Sequence, residues 1–173
     1  WVQVVRRGSP PEIVVAGIKV EYRIVGNTYS YGKGNFGQFW DNMQDIFGVS
    51  LPPDKGLNLV DPSVNNGLSG EMLAKADHFV ADGIPVTPLD DSLTWNPYQV
   101  AEVTVKDSQG NVLAQTRTTV PTSDEFHCEK CHQSPSSPSA PEDPYLQLHD
   151  EEQGTDLSTR TKAFLCASSG CHV

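Results

Sequence analysis

Ile18-Lys19-Val20-Glu21-Tyr22-Arg23-Ile24 alternates apolar and charged residues without a break. Successive side chains of an extended chain point to opposite faces, so this period of two predicts a strand with one face buried and the other in water. Ala101-Glu102-Val103-Thr104-Val105-Lys106 repeats the pattern, and the turn formers Asp107-Ser108-Gln109-Gly110-Asn111 follow it. Val112-Leu113-Ala114-Gln115-Thr116-Arg117-Thr118-Thr119-Val120 then returns as a β-rich run, and the two runs with their turn read as a hairpin. Trp1-Val2-Gln3-Val4-Val5 and Glu12-Ile13-Val14-Val15 supply two more strand candidates. The class expected for residues 1–120 is mainly β, a small antiparallel immunoglobulin-like sandwich.

An irregular insertion interrupts this module from about residue 27 to residue 96. Phe36, Phe39, Trp40, Met43, Ile46 and Phe47 recur at helical spacing, and Gly48 marks a stop. The aromatic stripe reads as a short core helix, with a cofactor-packing face as the sharper alternative. Pro52-Pro53, Asp61-Pro62, Asn65-Asn66-Gly67 and Gly70 then predict loop, with a second short helix over 71–76. Asp90-Asp91 reads as a solvated turn, because the ligand series of a calcium loop is missing.

The character changes at Pro121. Periodicity fades, and Ser134-Pro135-Ser136-Ser137-Pro138-Ser139-Ala140-Pro141 is a proline-serine loop. Nine acidic and three basic residues give the tail, residues 121–173, −6 of the chain's net charge of −10. That charge argues against nucleic acid or an anionic membrane surface as partner. No apolar run approaches the ~20 residues needed to span a bilayer, so no transmembrane segment is expected. The chain opens on Trp1 and shows no signal peptide, which we read as a chain whose targeting segment has been removed.

All four cysteines lie in this tail, in two pairs. Cys128-Glu129-Lys130-Cys131-His132 is a C-x-x-C-H segment, and Cys166-Ala167-Ser168-Ser169-Gly170-Cys171-His172 is the same arrangement with two more residues between the thiols. Thiol pairs alone would also suit a zinc ribbon or two disulfides in an exported chain. Neither of those asks for a histidine directly after each pair. Covalent haem attachment does: two thiols bond the haem vinyl groups, and the next histidine sits under the iron. The expected cofactors are two haem c groups, bound covalently through Cys128, Cys131, Cys166 and Cys171, with His132 and His172 as proximal iron ligands. A tail this short and polar builds no core of its own, so the macrocycles would serve as its apolar interior and the tail would carry little regular secondary structure.

From Phe126 to Val173 the chain resembles multihaem c-type cytochromes. The wider spacing of Cys166 and Cys171 departs from the commoner pattern and is similar to a variant in the small tetrahaem cytochromes of sulfate-reducing bacteria. The resemblance implies maturation outside the cytoplasmic membrane of a bacterium or archaeon, hence an extracellular or cell-surface location, with the periplasm as alternative. Some members of this class polymerise into extracellular conductive filaments.

Three histidines remain for the far faces of the irons: His78, His127 and His149. His149 lies between the two motifs, with Asp150 beside it as a partner that would orient the imidazole. His127 directly precedes Cys128, which suits the other haem, or one in a neighbouring molecule, better than its own. His78 lies outside the tail and reads equally as a capping residue or a ligand. Met43 and Met72, the only thioethers, sit on apolar faces where packing is the simpler account.

The expected function is electron transfer by an exported dihaem protein with bis-histidine irons, and not enzymatic catalysis. Its partners would be redox donor and acceptor proteins or extracellular electron acceptors. A homopolymer with haem ligation between subunits is a further expectation. A haem enzyme, a small-molecule reductase or peroxidase with one open iron, is the alternative. In a third reading the β module binds a partner surface and the haems are structural.

Overall fold

The computed structural model describes residues 1–34, 36–122 and 144–159. The chain divides into two compact units, Trp1–Asp41 with Ser50–Ser123 and Asn42–Val49 with Asp124–Val173. The fold is mainly β and antiparallel, as the alternating runs require.

In the first unit the strands are β1 (Val5–Arg6), β2 (Glu12–Ile13), β3 (Ile18–Ile24), β4 (Ser69–Glu71), β5 (Leu73–Ala74), β6 (Phe79–Val80), β7 (Tyr98–Asp107) and β8 (Val112–Pro121). The main sheet has the order β4-β3-β7-β8. β3 runs antiparallel to β7 from Ile18 opposite Asp107 to Ile24 opposite Ala101. The alternation read from the sequence is obeyed. Val20, Tyr22 and Ile24 point inward and are buried, as are Ala101, Val103 and Val105 across from them on β7. Lys19, Glu21 and Arg23 take the opposite face.

A shorter layer covers the inner face. The N-terminal segment exchanges two 2.8 Å main-chain bonds between Val2 and Phe79, and Val14 donates to Val4 at 2.9 Å. These links, with the two-residue ribbons β1-β2 and β5-β6, bring Val2, Val4, Met72 and Phe79 onto Val20, Tyr22, Val103 and Val105. The result is a sandwich of unequal layers. Burying each large apolar side chain of this cluster contributes roughly 1.5–3 kcal/mol. A charge at Val103 would therefore remove that term and add an unpaired ion to the core.

The hairpin forms where expected. Asp107 Oδ1 accepts the main-chain N–H of Gln109 and Asn111 at 2.9 and 2.8 Å, which closes the turn through a carboxylate. On the outer face Glu102 lies between two arginines. Arg23 Nη2 reaches its Oε1 at 2.6 Å and Arg117 Nη2 its Oε2 at 2.8 Å. The Arg117 bond, and then the Arg23 bond, outweigh burial and hold the Glu102 carboxyl below the usual range.

The insertion differs from expectation in two places. Residues 71–76, read as a short helix, contain the end of β4 and the whole of β5. Tyr22 on β3 lies opposite Gly70 on β4, so tertiary pairing overrides the local pattern there. The aromatic stripe becomes two short helices, α1 (Gln38–Asp41) and α2 (Met43–Phe47), with Gly48 ending the second at φ 70°. Elsewhere loop packs on loop: a Cβ on Gly56 would lie 1.8 Å from the Gly83 carbonyl oxygen, so that crossing requires glycine.

A polar knot ties the insertion together. Lys33 is fully buried, and its ammonium donates to Asn27 Oδ1 at 2.9 Å, Asp91 Oδ1 at 2.9 Å and the Leu89 carbonyl at 3.1 Å. Asn27 in turn donates through Nδ2 to the Thr87 carbonyl at 3.0 Å and Gln99 Oε1 at 3.2 Å. The Tyr29 ring centroid lies 4.2 Å from the same ammonium.

In the second unit the described residues 144–159 form the helix α3 (Pro144–Gln153) and a 3-10 turn at Leu157–Thr159. Fading periodicity gave no sign of this helix. Pro at a helix's first position and Gly after its last are the recognised signals, and Pro144 and Gly154 occupy those places. Gly154 has φ 64° and donates to the Asp150 carbonyl at 2.8 Å.

Candidate haem ligands

Cys128, Cys131, His132, Cys166, Cys171, His172 and His127 lie outside the described residues. His78 and His149 are described, and in both the ring is held by a hydrogen bond at Nδ1.

His149 lies in the second half of α3 and is half-buried. Its Nδ1 is 3.0 Å from Thr155 Oγ1. The hydroxyl of Thr155 is itself 2.5 Å from Asp150 Oδ1, while Asp150 Oδ2 accepts the Ser158 N–H at 2.8 Å and its hydroxyl at 2.6 Å. A carboxylate only accepts, so the single proton of Thr155 is committed to Asp150. Thr155 must then accept from His149, which places a proton on Nδ1. Asp150 thus orients His149 as expected, but through Thr155. Sequence reasoning passed over Thr155 and Ser158. Their signal was present in their spacing, five and eight residues after Asp150, just beyond a glycine stop.

His78 lies in the turn between β5 and β6, where Lys75 donates to its carbonyl at 2.7 Å. Nδ1 is 2.7 Å from Asp77 Oδ1, so Nδ1–H donates to this carboxylate, which can only accept. The Trp1 ring meets the imidazole edge to face, with centroids 5.8 Å apart, and Trp1 is 82% exposed. Gln3 Nε2 donates to the Asp77 carbonyl at 3.2 Å and steadies the turn from the N-terminal segment.

The donor chemistry fits haem iron. Metal-ligating histidines characteristically give their other ring N–H to a carboxylate, carbonyl or hydroxyl oxygen, which sets the tautomer and raises ligand basicity. Both described histidines are braced at Nδ1 by an oxygen in this way. When bound, the haems would supply the one-electron chemistry, and these side chains would do no more than orient and hold.

The thioethers are occupied elsewhere. Met72 belongs to the sandwich core and Met43 is fully buried. Asp90 caps its own turn, with Oδ1 accepting Ser92 N–H at 2.9 Å, Ser92 hydroxyl at 2.7 Å and Thr94 N–H at 2.9 Å. The hydroxyl of Ser92 and the main chain of Thr94 and Ser92 outweigh burial and hold the Asp90 carboxyl low, as befits a turn. A groove of about 390 Å³ on the outer face of the main sheet is lined by Glu21, Arg23, Gly70, Glu71 and Glu102. It contains no histidine. Among the described residues no three His, Cys, Asp or Glu side chains gather as a metal cluster, and no helix is long and apolar enough to cross a membrane. Comparison with family models, curated proteins and solved structures returns no match.

Proposed function

We propose that this chain is part of an exported c-type cytochrome that carries two covalent haem c groups and transfers electrons. The observation that carries the proposal is the pair of motifs at Cys128-Cys131-His132 and Cys166-Cys171-His172, which uses every thiol of the chain and follows each pair with a histidine. The hydrogen bonds at Nδ1 of His78 and His149 support it, since metal-ligating histidines characteristically have their other ring nitrogen braced by an oxygen. Two proximal and two distal imidazoles would saturate both irons. Six-coordinate irons exchange electrons without binding substrate, and the protein sets their spacing, potential and exposure.

The physiological partners in this proposal are redox proteins or extracellular acceptors reached outside the cytoplasmic membrane. Were His127, ill placed for its own haem, to replace one of these distal ligands on a haem in a neighbouring copy, the head-to-tail ligation would build a filament unless it closed into a ring. Electronic absorption and electron paramagnetic resonance of the purified protein test the electron-transfer assignment. Low-spin, six-coordinate iron at both sites is expected. A high-spin iron in the native chain that binds peroxide or carbon monoxide would replace this reading with a haem enzyme.

A further inference from the structure

β8 ends the main sheet, and all but the last of its residues from Val112 to Val120 are exposed. Across the ladder, Val105, Val103 and Ala101 on β7 are buried, while their partners Ala114, Thr116 and Thr118 on β8 are exposed. The covering layer therefore stops one strand short.

The phase of this edge follows from two bonds. Thr122 donates to the Pro97 carbonyl at 3.0 Å, and Val25 to the Val100 carbonyl at 2.8 Å. Hydrogen-bonded and non-bonded pairs alternate along an antiparallel ladder, so Ala114, Thr116, Thr118 and Val120 spend their main-chain groups on β7. Gln115, Arg117 and Thr119 direct theirs to the open edge, where no described residue pairs with them. Natural edge strands are shielded by lysines, inward charges, prolines or bulges. β8 has its bulge beside the turn, between Val105 and Lys106, and its proline at Pro121; its single charge, Arg117, is held by Glu102 at 2.8 Å.

We infer that β8 is a pairing edge for β8 of a second copy of this chain, antiparallel about a two-fold axis through Thr116. The sequence chooses both partner and register. Outward main-chain groups must meet outward ones, which allows axes through Gln115, Thr116 or Arg117. An axis at Arg117 opposes two guanidinium groups, and one at Gln115 carries Thr119 into the turn. The axis at Thr116 sets Arg117 against Gln115 of the other copy twice, for about four new main-chain bonds, and brings Thr119 beside Leu113, the bulge residue of the other strand. On the inner face Thr116 meets its own counterpart and Ala114 meets Thr118, small or β-branched pairs suited to the close spacing of non-bonded positions. The two main sheets become one continuous eight-stranded sheet, and no thiol or iron takes part.

Sedimentation of the haem-loaded chain over a concentration series tests this, with excess imidazole present to occupy any open iron. A reversible dimer is expected, with amide exchange slowed at Gln115, Arg117 and Thr119 as concentration rises and unchanged at Thr116 and Thr118. Gln115→Lys faces Arg117 of the partner twice and weakens the dimer about tenfold, whereas Gln115→Glu tightens it by a similar factor. A monomer at every concentration up to the solubility limit overturns the inference. So does a dimer indifferent to the sign of the charge at position 115, which would place the contact elsewhere. Should the lysine variant fail to fold, the glutamate variant and the exchange pattern still decide.

Discussion

Replacing Lys33 by methionine keeps the length of the buried side chain and removes its charge and three donors. In the folded chain the Lys33 ammonium satisfies Asn27 Oδ1 at 2.9 Å and Asp91 Oδ1 at 2.9 Å, within a fully buried environment. Breaking one partner of a buried ion pair typically costs ~3–5 kcal/mol. Asp91 tempers that figure, since a third of its side chain is exposed and Thr28 still donates to it at 2.9 and 3.0 Å. What remains is chiefly the orphaned Asn27 oxygen, whose burial without a donor costs about 1–3 kcal/mol. The expected loss is about 2–4 kcal/mol, read as a lower midpoint in urea or heat unfolding. Acid supplies an internal control. Burial pushes the Asp91 carboxyl up, but the Thr28 and Lys33 bonds together outweigh it and the net shift is downward. A depressed carboxylate stabilises above its unfolded pKa of ~3.9, and that stability disappears as pH falls through the folded value. The gap between wild type and Lys33→Met should therefore narrow below about pH 4. A loss under ~1 kcal/mol at neutral pH would show that Lys33 is not the tie of the insertion, and a gap independent of pH would show that Asp91 contributes nothing to it.

Glu102→Gln removes a carboxylate that both Arg23 and Arg117 hold below the usual range, so the variant should melt lower at neutral pH and lose part of the wild type's acid sensitivity; an unchanged melting temperature from pH 3 to pH 7 would refute this. Thr155→Val deprives the His149 Nδ1–H of its acceptor. If His149 ligates iron, its bond should weaken roughly 10- to 100-fold, opening one haem to carbon monoxide while helix content stays constant, and Thr155→Ser should restore it. Carbon monoxide binding unchanged in Thr155→Val would remove His149 from the ligand set.

Strands such as Ile18–Ile24 and the hairpin 101–120 were legible because burial on one face writes a period of two into the sequence. β4 was not, because Ser69-Gly70-Glu71 is exposed throughout and exists only as a partner of β3. The helix carrying His149 was missed although Pro144 and Gly154 bracket it. Its side chains give no clear apolar stripe, so periodicity was the wrong signal to read. Lys33, between Gly32 and Gly34, has the look of a surface loop residue. Only long-range contacts, to Leu89 and Asp91, make it interior. At the candidate site the histidines were legible as residue types, but the bonds that brace their rings were not. Those depend on a hydroxyl six residues along and on a carboxylate next door.

Two covalent haems are the centre of this account, and the intact mass of the purified protein counts them most directly. The mass should exceed that of the polypeptide by two haem groups, and both should survive acid-acetone extraction, since thioether bonds do not yield to it. One covalent haem would release Cys166 and Cys171 from the assignment. No haem, with zinc bound or four oxidised thiols in its place, would contradict the account entirely.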